Sequence, residues 1–359
     1  MHTLTRLLGL LTITLLVGCT SVPNGGVTAA PPERVVPEVA TRTFLIPSLN
    51  EEDRAELRRT HPTLRIVTGL DRSEALRRAP EVDGIDGRYA TDDFLAAATR
   101  LRWVQSPSAG VERYLARSAI RERDEIVLTN MRGMHGPTIA DHALAMLLTL
   151  TRDLAYYVDP AQRGTWNRRG SGREPTALAD RTMLVVGLGG IGSEVAKRAK
   201  GFGMHVLATR RSLVPPPPYV DEQGTAGDLH RFLPRADVVV LCVPLTPQTE
   251  GMIDADELAL MPAGSYVVNV ARGKVVRTAA LLAALESGHL AGAALDVTDP
   301  EPLPADHPLW SMPNVIITPH VSGRSALTET RRRGMYLENL RRFATGQSLL
   351  NVVDKEAGY

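Results

Sequence analysis

The sequence predicts an α/β protein with two doubly wound parallel sheets, each covered by helices on both faces. Short strand-like runs alternate with helix-like runs from Thr43 onward, and the alternation starts again at Met183. The later strand-like runs are almost continuously apolar, which is typical of strands that are buried on both faces. The length of 359 residues is sufficient for two domains with separate cores.

The first series contains five predicted strands with helices between them. Asn50 precedes one charged helical segment and Thr91 precedes another, and such side chains cap helices by accepting hydrogen bonds from free backbone N–H groups. Asp92 and Asp93 then suit the positive end of the second of these helices. The predicted strands cover residues 43–47, 64–67, 82–85, 101–105 and 126–129.

The second series is preceded by a long apolar helix and an irregular arm. The helix is predicted over residues 138–154, because its apolar residues recur at helical spacing. The arm passes through Trp166, and a charged helix is predicted beyond Ser322. The strands predicted between them cover residues 183–186, 205–208, 236–243, 265–270, 292–297 and 315–318.

The composition excludes several classes of function. Lys and Arg total 41 and Asp and Glu total 40, so there is no net basic field of the kind that attracts nucleic acid. Cys19 and Cys242 are the two cysteines, too few for a disulfide framework or a thiolate zinc site, and no metal site is predicted. No apolar run reaches the roughly 20 residues that a membrane-spanning helix needs.

The first residues have the features of a secretion signal. A basic start is followed by mostly apolar residues 7–17, and the run ends in LVGC at residues 16–19, which resembles a bacterial lipobox. In such proteins the chain is cut before the cysteine, and Cys19 would then carry lipid. Residues 1–19 are therefore a predicted lipoprotein signal peptide, and residues 20–41 a linker rich in Pro and Gly. The expected location is a membrane surface outside the cytoplasm, or the cytoplasm if the start codon is misassigned.

A glycine motif at residues 187–192, GLGGIG, indicates a dinucleotide site. An apolar strand precedes the motif and a helical segment follows it, which is the context that gives this common pattern its specificity. Gly187 makes the tight turn, Gly189 lets the backbone approach a pyrophosphate, and Gly192 allows the helix to pack closely. The predicted cofactor contacts from this turn are Gly187, Gly189, Gly190, Ile191 and Gly192.

The residues after the next predicted strand indicate which dinucleotide binds. NAD-selective sites usually place an acid there, which accepts a hydrogen bond from the ribose 2′-hydroxyl. Here the strand leads to Arg210 and Arg211, and no acid occurs between Glu194 and Asp221. A guanidinium pair can bind a 2′-phosphate, so we predict NADP(H) as the preferred cofactor, with NAD(H) still possible. The alternative is that both arginines are solvated at a strand end.

Three polar segments follow predicted strands of the second series and carry candidate catalytic groups. Arg272 lies in NVARG, Glu301 lies in DVTDPEP, and His320 ends the last strand in TPH. The carboxyl ends of parallel strands meet at one edge of a sheet, so these side chains are expected to converge there. Each residue alone could be structural, but the three together behind a dinucleotide fold favour an active site.

These motifs together resemble the D-isomer-specific 2-hydroxyacid dehydrogenases over nearly the whole chain from Phe44 to about Val353. The resemblance is strongest for the glyoxylate and hydroxypyruvate reductases, which also carry basic residues at the ribose position. It rests on SAGV at residues 108–111, GLGGIG, VPLT at residues 243–246, NVARG, DVTDPEP and the stretch from Leu309 to TPH.

The family implies a discontinuous architecture. A Rossmann cofactor domain, residues 151–322, would be inserted into a flavodoxin-like substrate domain that consists of residues 42–150 and 323–359. The long helix and the Trp166 arm resemble the segment through which the family forms homodimers, so a homodimer is expected.

The resemblance also implies a role for each site residue. Arg272 would hold the substrate carboxylate and 2-oxo oxygen, and His320 would exchange the proton while hydride moves to or from the nicotinamide. Glu301 would accept a hydrogen bond from the imidazole and favour its charged form. The backbone N–H groups that would complete the substrate site belong to Ala109, Gly110 and Val111. The further residues that would line the cofactor are Val243, Val270, Ala271, Asp296 and Gly323.

The predicted function is therefore NAD(P)H-dependent reduction of small 2-oxo acids, such as glyoxylate or hydroxypyruvate, or the reverse oxidation of D-2-hydroxy acids. Two alternatives remain open. Relatives in the same superfamily act as non-catalytic NAD(P)-binding sensors or co-repressors, and such binders can keep the catalytic residues. A phosphorylated or branched acid is the other alternative, although no phosphate clamp is obvious on the substrate side.

Overall fold

The computed structural model describes residues 41–166, 168 and 170–359. The predicted signal peptide, its Cys19 and nearly all of the predicted linker lie outside the described residues. The described part contains a five-stranded and a seven-stranded sheet, both parallel throughout, which confirms the predicted α/β class. None of the helices in this part is long and apolar enough to cross a membrane.

The five-stranded sheet has the strand order β2-β1-β3-β4-β5, which is the flavodoxin-like order that was predicted. Its strands β1 to β5 are Arg42–Leu45, Leu64–Val67, Gly84–Asp86, Trp103–Gln105 and Val127–Thr129. The helices α1 to α5 are Glu51–Thr60, Arg72–Arg78, Asp92–Ala97, Glu112–Leu115 and Ser118–Arg121.

The two predicted helix caps in this part of the chain have different outcomes. The Asn50 side chain accepts a hydrogen bond from the backbone N–H of Asp53 at 2.8 Å, so the cap on α1 is confirmed. Thr91 stands at the N-cap position of α3 but makes no side-chain bond to the backbone. Its hydroxyl instead donates to the carboxylate of Asp93, which itself accepts the N–H of Phe94 at 3.0 Å. Asp93, and not Thr91, therefore accepts the hydrogen bond from a free N–H in the first turn of α3.

The long apolar helix extends over α6, Gly136–Thr151, and packs against the seven-stranded sheet. Its Ala143 and Leu147 share one buried cluster with Val185 and Val240 of that sheet. The apolar stripe of α6 is therefore covered by the second sheet, and the domain boundary at residue 150 stays a prediction. The predicted irregular arm is partly helical, since α7 follows directly at Leu154–Gln162.

The seven-stranded sheet has the order β12-β11-β10-β9-β6-β7-β8. Counted from β6 this is 7-6-5-4-1-2-3, which contains the Rossmann order 3-2-1-4-5-6. The strands β6 to β12 are Thr182–Val186, His205–Thr209, Glu222–Gly224, Val238–Leu241, Ser265–Asn269, Leu290–Leu295 and Val315–Ile317. The helices α8 to α11 are Gly190–Gly201, Leu229–Phe232, Ala255–Leu260 and Thr278–Glu286.

The last helix, α12, covers Ala326–Thr345 and returns the chain to the five-stranded sheet. Its Phe343 packs against Phe44 and Trp103, whose ring centroids are 4.6 Å apart. Buried aromatic side chains of this kind each contribute about 1.5–3 kcal/mol of favourable transfer free energy. This apolar contact explains why the tail lies on the sheet from which it is most distant in sequence.

The two passes of the chain between the sheets lie side by side. The hydroxyl of Thr138, in the first turn of α6, is 2.7 Å from the hydroxyl of Ser325, which caps α12. Thr328 of α12 donates its hydroxyl to Thr138 at 3.0 Å. Just before these helices, a Cβ on Gly323 would lie 3.1 Å from Cδ2 of His135.

Candidate active site

The glycine turn after β6 has the geometry of a dinucleotide-binding turn. Gly187 has a φ of +100°, and a Cβ on it would lie 2.8 Å from Cγ1 of Val243. A Cβ on Gly192 would overlap the carbonyl oxygen of Gly187, which shows how closely α8 approaches the turn. A Cβ on Gly189, in contrast, would meet nothing within 4 Å. Two of the glycines are therefore required by the fold, while the middle one leaves open space at the start of the helix.

The N-terminus of α8 is suited to bind a pyrophosphate. Gly189 is its N-cap residue and provides no side-chain acceptor for the first N–H groups. The helix begins at Gly190, and a Cβ on this residue would lie 3.3 Å from Cα of Gly133. The next residue, Ile191, is half-buried and packs against the core. Free N–H groups and the helix dipole together favour an anion at this position. The residues present therefore fit the phosphates of a dinucleotide.

Among the described residues, the first acid after β7 is already paired and is not available for a ribose. Arg210 directly follows β7, and its backbone N–H donates to Gly224 at 3.0 Å. The nearest following acid, Asp221, accepts hydrogen bonds from Lys200 at 2.7 Å and from the backbone of Val206 at 2.8 Å. The hydrogen bond from Lys200 holds the pKa of Asp221 below its ordinary value, so this acid is charged and already paired.

Arg210 and Arg211 make no ion pair with any of the described residues. The guanidinium of Arg211 instead lies over the ring of Tyr359, with Cζ 4.8 Å from the ring centroid. Glu222, on β8, is engaged by Arg231 and by Arg235, the latter at 2.7 Å. Arg210 and Arg211 are therefore cationic residues directly after β7 that no described carboxylate neutralises.

Arg272 lies in the turn after β10, and the buried side chain of Asn269 stabilises this turn. The side chain of Asn269, which is 1 % exposed, accepts from the N–H of Ala271 and donates to the carbonyl of Arg272, both at 3.0 Å. The guanidinium then donates from Nη1 to the carbonyl of Ala271 at 2.7 Å and from Nε to Glu112 at 3.0 Å. Val270 and Ala271 are themselves buried, as expected for residues under a cofactor.

The predicted substrate loop of the first sheet lies directly against this guanidinium. A Cβ on Gly110 would overlap Nη2 of Arg272 and would lie 2.7 Å from Oε2 of Glu112. The carbonyls of the loop are fixed by Ser108, whose hydroxyl donates to Gly110 at 3.0 Å, and by Asn130, which donates to Ala109 at 2.9 Å. The structure therefore brings the two sheets together at the contact between Arg272 and Gly110.

The N–H groups of this loop point to anion binding. Within the part of the chain that the structure describes, the backbone N–H groups of Ala109, Gly110 and Val111 donate to no protein acceptor. Three consecutive free donors beside a guanidinium form a cradle for a carboxylate.

His320 and Glu301 form the second half of the site. Nδ1 of His320 is 2.8 Å from Oε1 of Glu301, and the two side chains are 47 % and 44 % exposed. The backbone of His320 adopts a left-handed φ of +52°, and its N–H donates to the carbonyls of Asp296 and Thr318, both at 2.9 Å. Since Nδ1 is taken by the carboxylate, Nε2 is the ring nitrogen that remains for a substrate.

Asp296 holds the loop that carries the histidine. Its carboxylate is 1 % exposed and accepts the hydroxyl of Thr318 at 2.7 Å and the backbone N–H groups of Val321 and Ser322 at 2.9 and 3.0 Å. Nε2 of His142, on α6, lies 2.9 Å from the hydroxyl of Thr318. Because the single hydroxyl proton goes to Asp296, the histidine is the donor in that contact. The carboxylate predicted to face the cofactor is thus engaged on both oxygens with the loop beneath it.

Glu112, His142 and Thr318 belong to this site although sequence reasoning gave them no role. Glu112 could have been noticed, because it follows the predicted substrate loop by one residue and carries a charge next to an expected anion site. His142 and Thr318 have no such signal, since they meet only through the packing of α6 on the second sheet.

Comparison with known proteins agrees with this geometry. The family described as D-isomer specific 2-hydroxyacid dehydrogenase, NAD binding domain, matches residues 144–322. The chain is 36 % identical to the glyoxylate reductase of Korarchaeum cryptofilum over 74 % of its own length and 79 % of that protein. It is 34 % identical to the D-3-phosphoglycerate dehydrogenase of Mycobacterium leprae over 82 % of its own length, but it spans only 55 % of that longer protein. The NADPH-dependent glyoxylate/hydroxypyruvate reductase from Sinorhizobium meliloti, solved with NADP and sulfate, is similar with a TM-score of 0.73 and 27 % identity, covering 89 % of this chain and 100 % of that one.

Proposed function

This chain belongs to the D-isomer specific 2-hydroxyacid dehydrogenase family, and on that premise we propose that it reduces glyoxylate or hydroxypyruvate with NADPH. It is an NAD(P)-dependent oxidoreductase of 2-hydroxy and 2-oxo acids. The observation that carries the proposal is the contact of Arg272 with the free N–H cradle at Gly110. Arg272 and the His320–Glu301 pair both follow the carboxyl ends of strands in the seven-stranded sheet. The named relatives that act on glyoxylate support the choice of a small substrate.

Arg272 and the cradle bind the acid end of the substrate. Two of the five guanidinium donors are used by Ala271 and Glu112, so three remain for the ligand. A planar fork of donors matches a planar 2-oxo acid, whose carboxylate and carbonyl oxygen lie in one plane. The N–H groups of Ala109 and Gly110 add charge-assisted hydrogen bonds from the other sheet.

His320 supplies the proton. With Nδ1–H donating to Glu301, Nε2–H points away from the carboxylate and is available to the carbonyl oxygen of the substrate. A nicotinamide dinucleotide held at the glycine turn would supply the hydride to the carbonyl carbon. The carbonyl oxygen takes the proton from Nε2 of His320, so the product is a 2-hydroxy acid and the histidine is left neutral.

Turnover tests this function directly. We expect the purified chain to oxidise NADPH in the presence of glyoxylate or hydroxypyruvate, and the His320→Ala variant to lose at least about 100-fold in kcat. A panel that adds a branched and a phosphorylated 2-oxo acid defines the substrate class. Tight NADPH binding with no turnover on any of these acids would replace the reductase by the sensor alternative.

The preference for NADPH rests on Arg210 and Arg211. An acid in their place would repel the 2′-phosphate, so Arg210→Asp should weaken NADPH binding by about 30-fold or more while changing NADH binding by less than about threefold. Arg181→Asp is the matched control, because Arg181 lies just before the amino end of β6, away from the carboxyl ends where the cofactor binds, and pairs with Asp237. Equal weakening of both cofactors would remove this interpretation of Arg210.

A homodimer is also proposed, formed through α7 and the arm that follows it. Leu154, Tyr156 and Val158 of α7 are 42–53 % exposed, and Trp166 is 90 % exposed. Leu154 and Val158 are four residues apart and share one face of α7, and exposed apolar side chains on one face are typical of a protein interface. Val158→Asp should convert a dimer to a monomer in sedimentation, whereas Leu213→Asp, at another exposed apolar residue, should not. A monomeric wild-type protein would end the proposal.

Lipid attachment at Cys19 is a further proposal, and it rests on the lipobox-like sequence alone. A radiolabelled acyl chain and a membrane location should both be lost in Cys19→Ala. An unmodified wild-type protein in the cytoplasm would refute lipidation and support the alternative location.

A further inference from the structure

An aromatic ring lies on one of the two arginines at the ribose position. The guanidinium carbon of Arg211 is 4.8 Å from the ring centroid of Tyr359, and the tyrosine is half-buried. The two residues are 148 positions apart in sequence, so their contact is made by the fold. The neighbouring Gly358 lies beside Thr246, because a Cβ on it would lie 3.7 Å from Cγ2 of that threonine.

The segment 351–359 that carries this ring starts on the other sheet. The N–H of Val353 donates to Leu128 of β5 at 2.8 Å, and the Val353 side chain is 5 % exposed. A tight turn follows, in which Asp354 accepts the N–H groups of Glu356 and Ala357 at 3.0 and 2.9 Å. The turn therefore places Tyr359 by hydrogen bonds and packing that do not involve Arg211.

The position of the ring relates it to the adenosine end of the dinucleotide. Arg211 follows β7 and Thr246 follows β9, and these two strands flank β6, whose turn is built for the pyrophosphate. Dinucleotides bind across the carboxyl ends of these strands in this fold. Segment 351–359 thus brings a side chain from the substrate-domain sheet to the cofactor site of the other sheet.

Stacking orders a guanidinium without using its donors. The five N–H groups of arginine lie in the plane of the group, whereas an aromatic ring covers one face. Arg211 makes no ion pair with any residue the structure describes, so its in-plane donors stay available while its face is fixed. Arg198 differs, because it donates to the carboxylates of Asp141 and Glu194 at 2.6 and 2.8 Å.

We propose that Tyr359 determines cofactor specificity by positioning Arg211 for the 2′-phosphate of NADPH. The inference rests on the proposed NADPH preference and adds to it a residue from the opposite end of the sequence. Tyr359 is a positioning residue, because it acts on the phosphate only through the guanidinium on which it stacks.

Equilibrium binding to the purified full chain tests the proposal, with NADPH and 2′,5′-ADP as probes that carry the 2′-phosphate and NADH and 5′-AMP as probes that lack it. Tyr359→Ala should raise the Kd of the first two by about three- to tenfold and leave the other two within about twofold. Tyr359→Phe should restore wild-type values, because it keeps the stacking ring. In an Arg211→Ala background, Tyr359→Ala should have no further effect on NADPH, as a double-mutant cycle requires.

The outcomes separate this inference from the function on which it rests. If Arg211→Ala and Arg210→Asp both weaken NADPH and NADH equally, the NADPH preference itself is wrong. If those variants act only on the probes with a 2′-phosphate while Tyr359→Ala changes nothing, the NADPH preference stands and the role of Tyr359 is refuted. Tighter binding of all four probes by Tyr359→Ala would also refute it, since the ring would then be competing with adenosine.

Discussion

Replacing Gly110 by alanine tests whether the two sheets meet at the substrate. The added Cβ would overlap Nη2 of Arg272 and would lie 3.0 Å from its Cζ and 2.7 Å from Oε2 of Glu112. Non-bonded carbon and nitrogen atoms prefer a separation of about 3.5–4 Å, so the guanidinium must retreat on the order of 1 Å. The free end of an arginine can do so without disturbing the core.

The expected cost falls on catalysis. A 1 Å misplacement of a substrate-positioning group costs about 100-fold, so kcat/KM should fall by about that factor, or about 2.7 kcal/mol of transition-state stabilisation. The free energy of unfolding should change by less than about 1 kcal/mol, because the Arg272–Glu112 pair is partly exposed, with side chains 30 % and 34 % accessible.

The assay is steady-state NADPH oxidation combined with urea unfolding of each variant. Gly334→Ala is the matched control, because Gly334 lies in α12 and a Cβ there would meet nothing within 4 Å. That variant should keep wild-type kinetics and gain about 0.5–1 kcal/mol of stability. Wild-type kcat/KM in Gly110→Ala would refute the placement of substrate between Arg272 and this loop.

Three further predictions concern the half-buried His135 and Cys242 and the buried Asp296. Burial lowers the pKa of His135 below its ordinary 6.5, so the unfolded chain takes up this proton at a higher pH than the folded chain does. The free energy of unfolding therefore falls as the pH drops below 6.5, by at most about 1.4 kcal/mol per pH unit. In urea unfolding between about pH 7.5 and about pH 5.5, His135→Gln should lose this part of the pH dependence. Asp296→Asn replaces one acceptor oxygen by an NH2 donor, which then faces another donor such as the N–H of Ser322, and it should cost about 1–3 kcal/mol of stability together with activity. An unchanged melting temperature and rate would contradict this prediction. Burial raises the pKa of Cys242 to about 12, so in a Cys19→Ala background iodoacetamide should label the native protein at least about tenfold more slowly than the unfolded chain at about pH 8.

The sequence predicts those parts of the fold whose local pattern matches their final environment. The buried strands β6 and β9 are uninterrupted apolar runs, and their existence follows from composition alone. The edge strand β8 was not predicted, because its residues Glu222–Gly224 are polar or glycine and pair with β7 alone among the strands. Helix α7 was not predicted, and Pro160, a residue that usually ends a helix, lies inside it.

The sequence predicts the site residues that follow the ends of parallel strands. It does not predict the contacts between segments that are distant in sequence. Arg272, Glu301 and His320 each follow a strand of the second sheet, so their common edge is a consequence of parallel topology. The contact of Glu112 with Arg272 joins residues 160 positions apart and depends on how the two sheets face each other. No periodicity or motif reports such a contact.

The chain crosses between the two sheets at two places, and these crossings lie side by side at Thr138 and Ser325. A rotation of one sheet against the other about the crossings would change the gap between the sheets most at the far margins and least beside the crossings. The glycine turn lies in the region of least change, because a Cβ on Gly136 would approach the carbonyl oxygen of Gly190 to 2.8 Å. Such a rotation would therefore move a cofactor at this turn less than a group at the far margins.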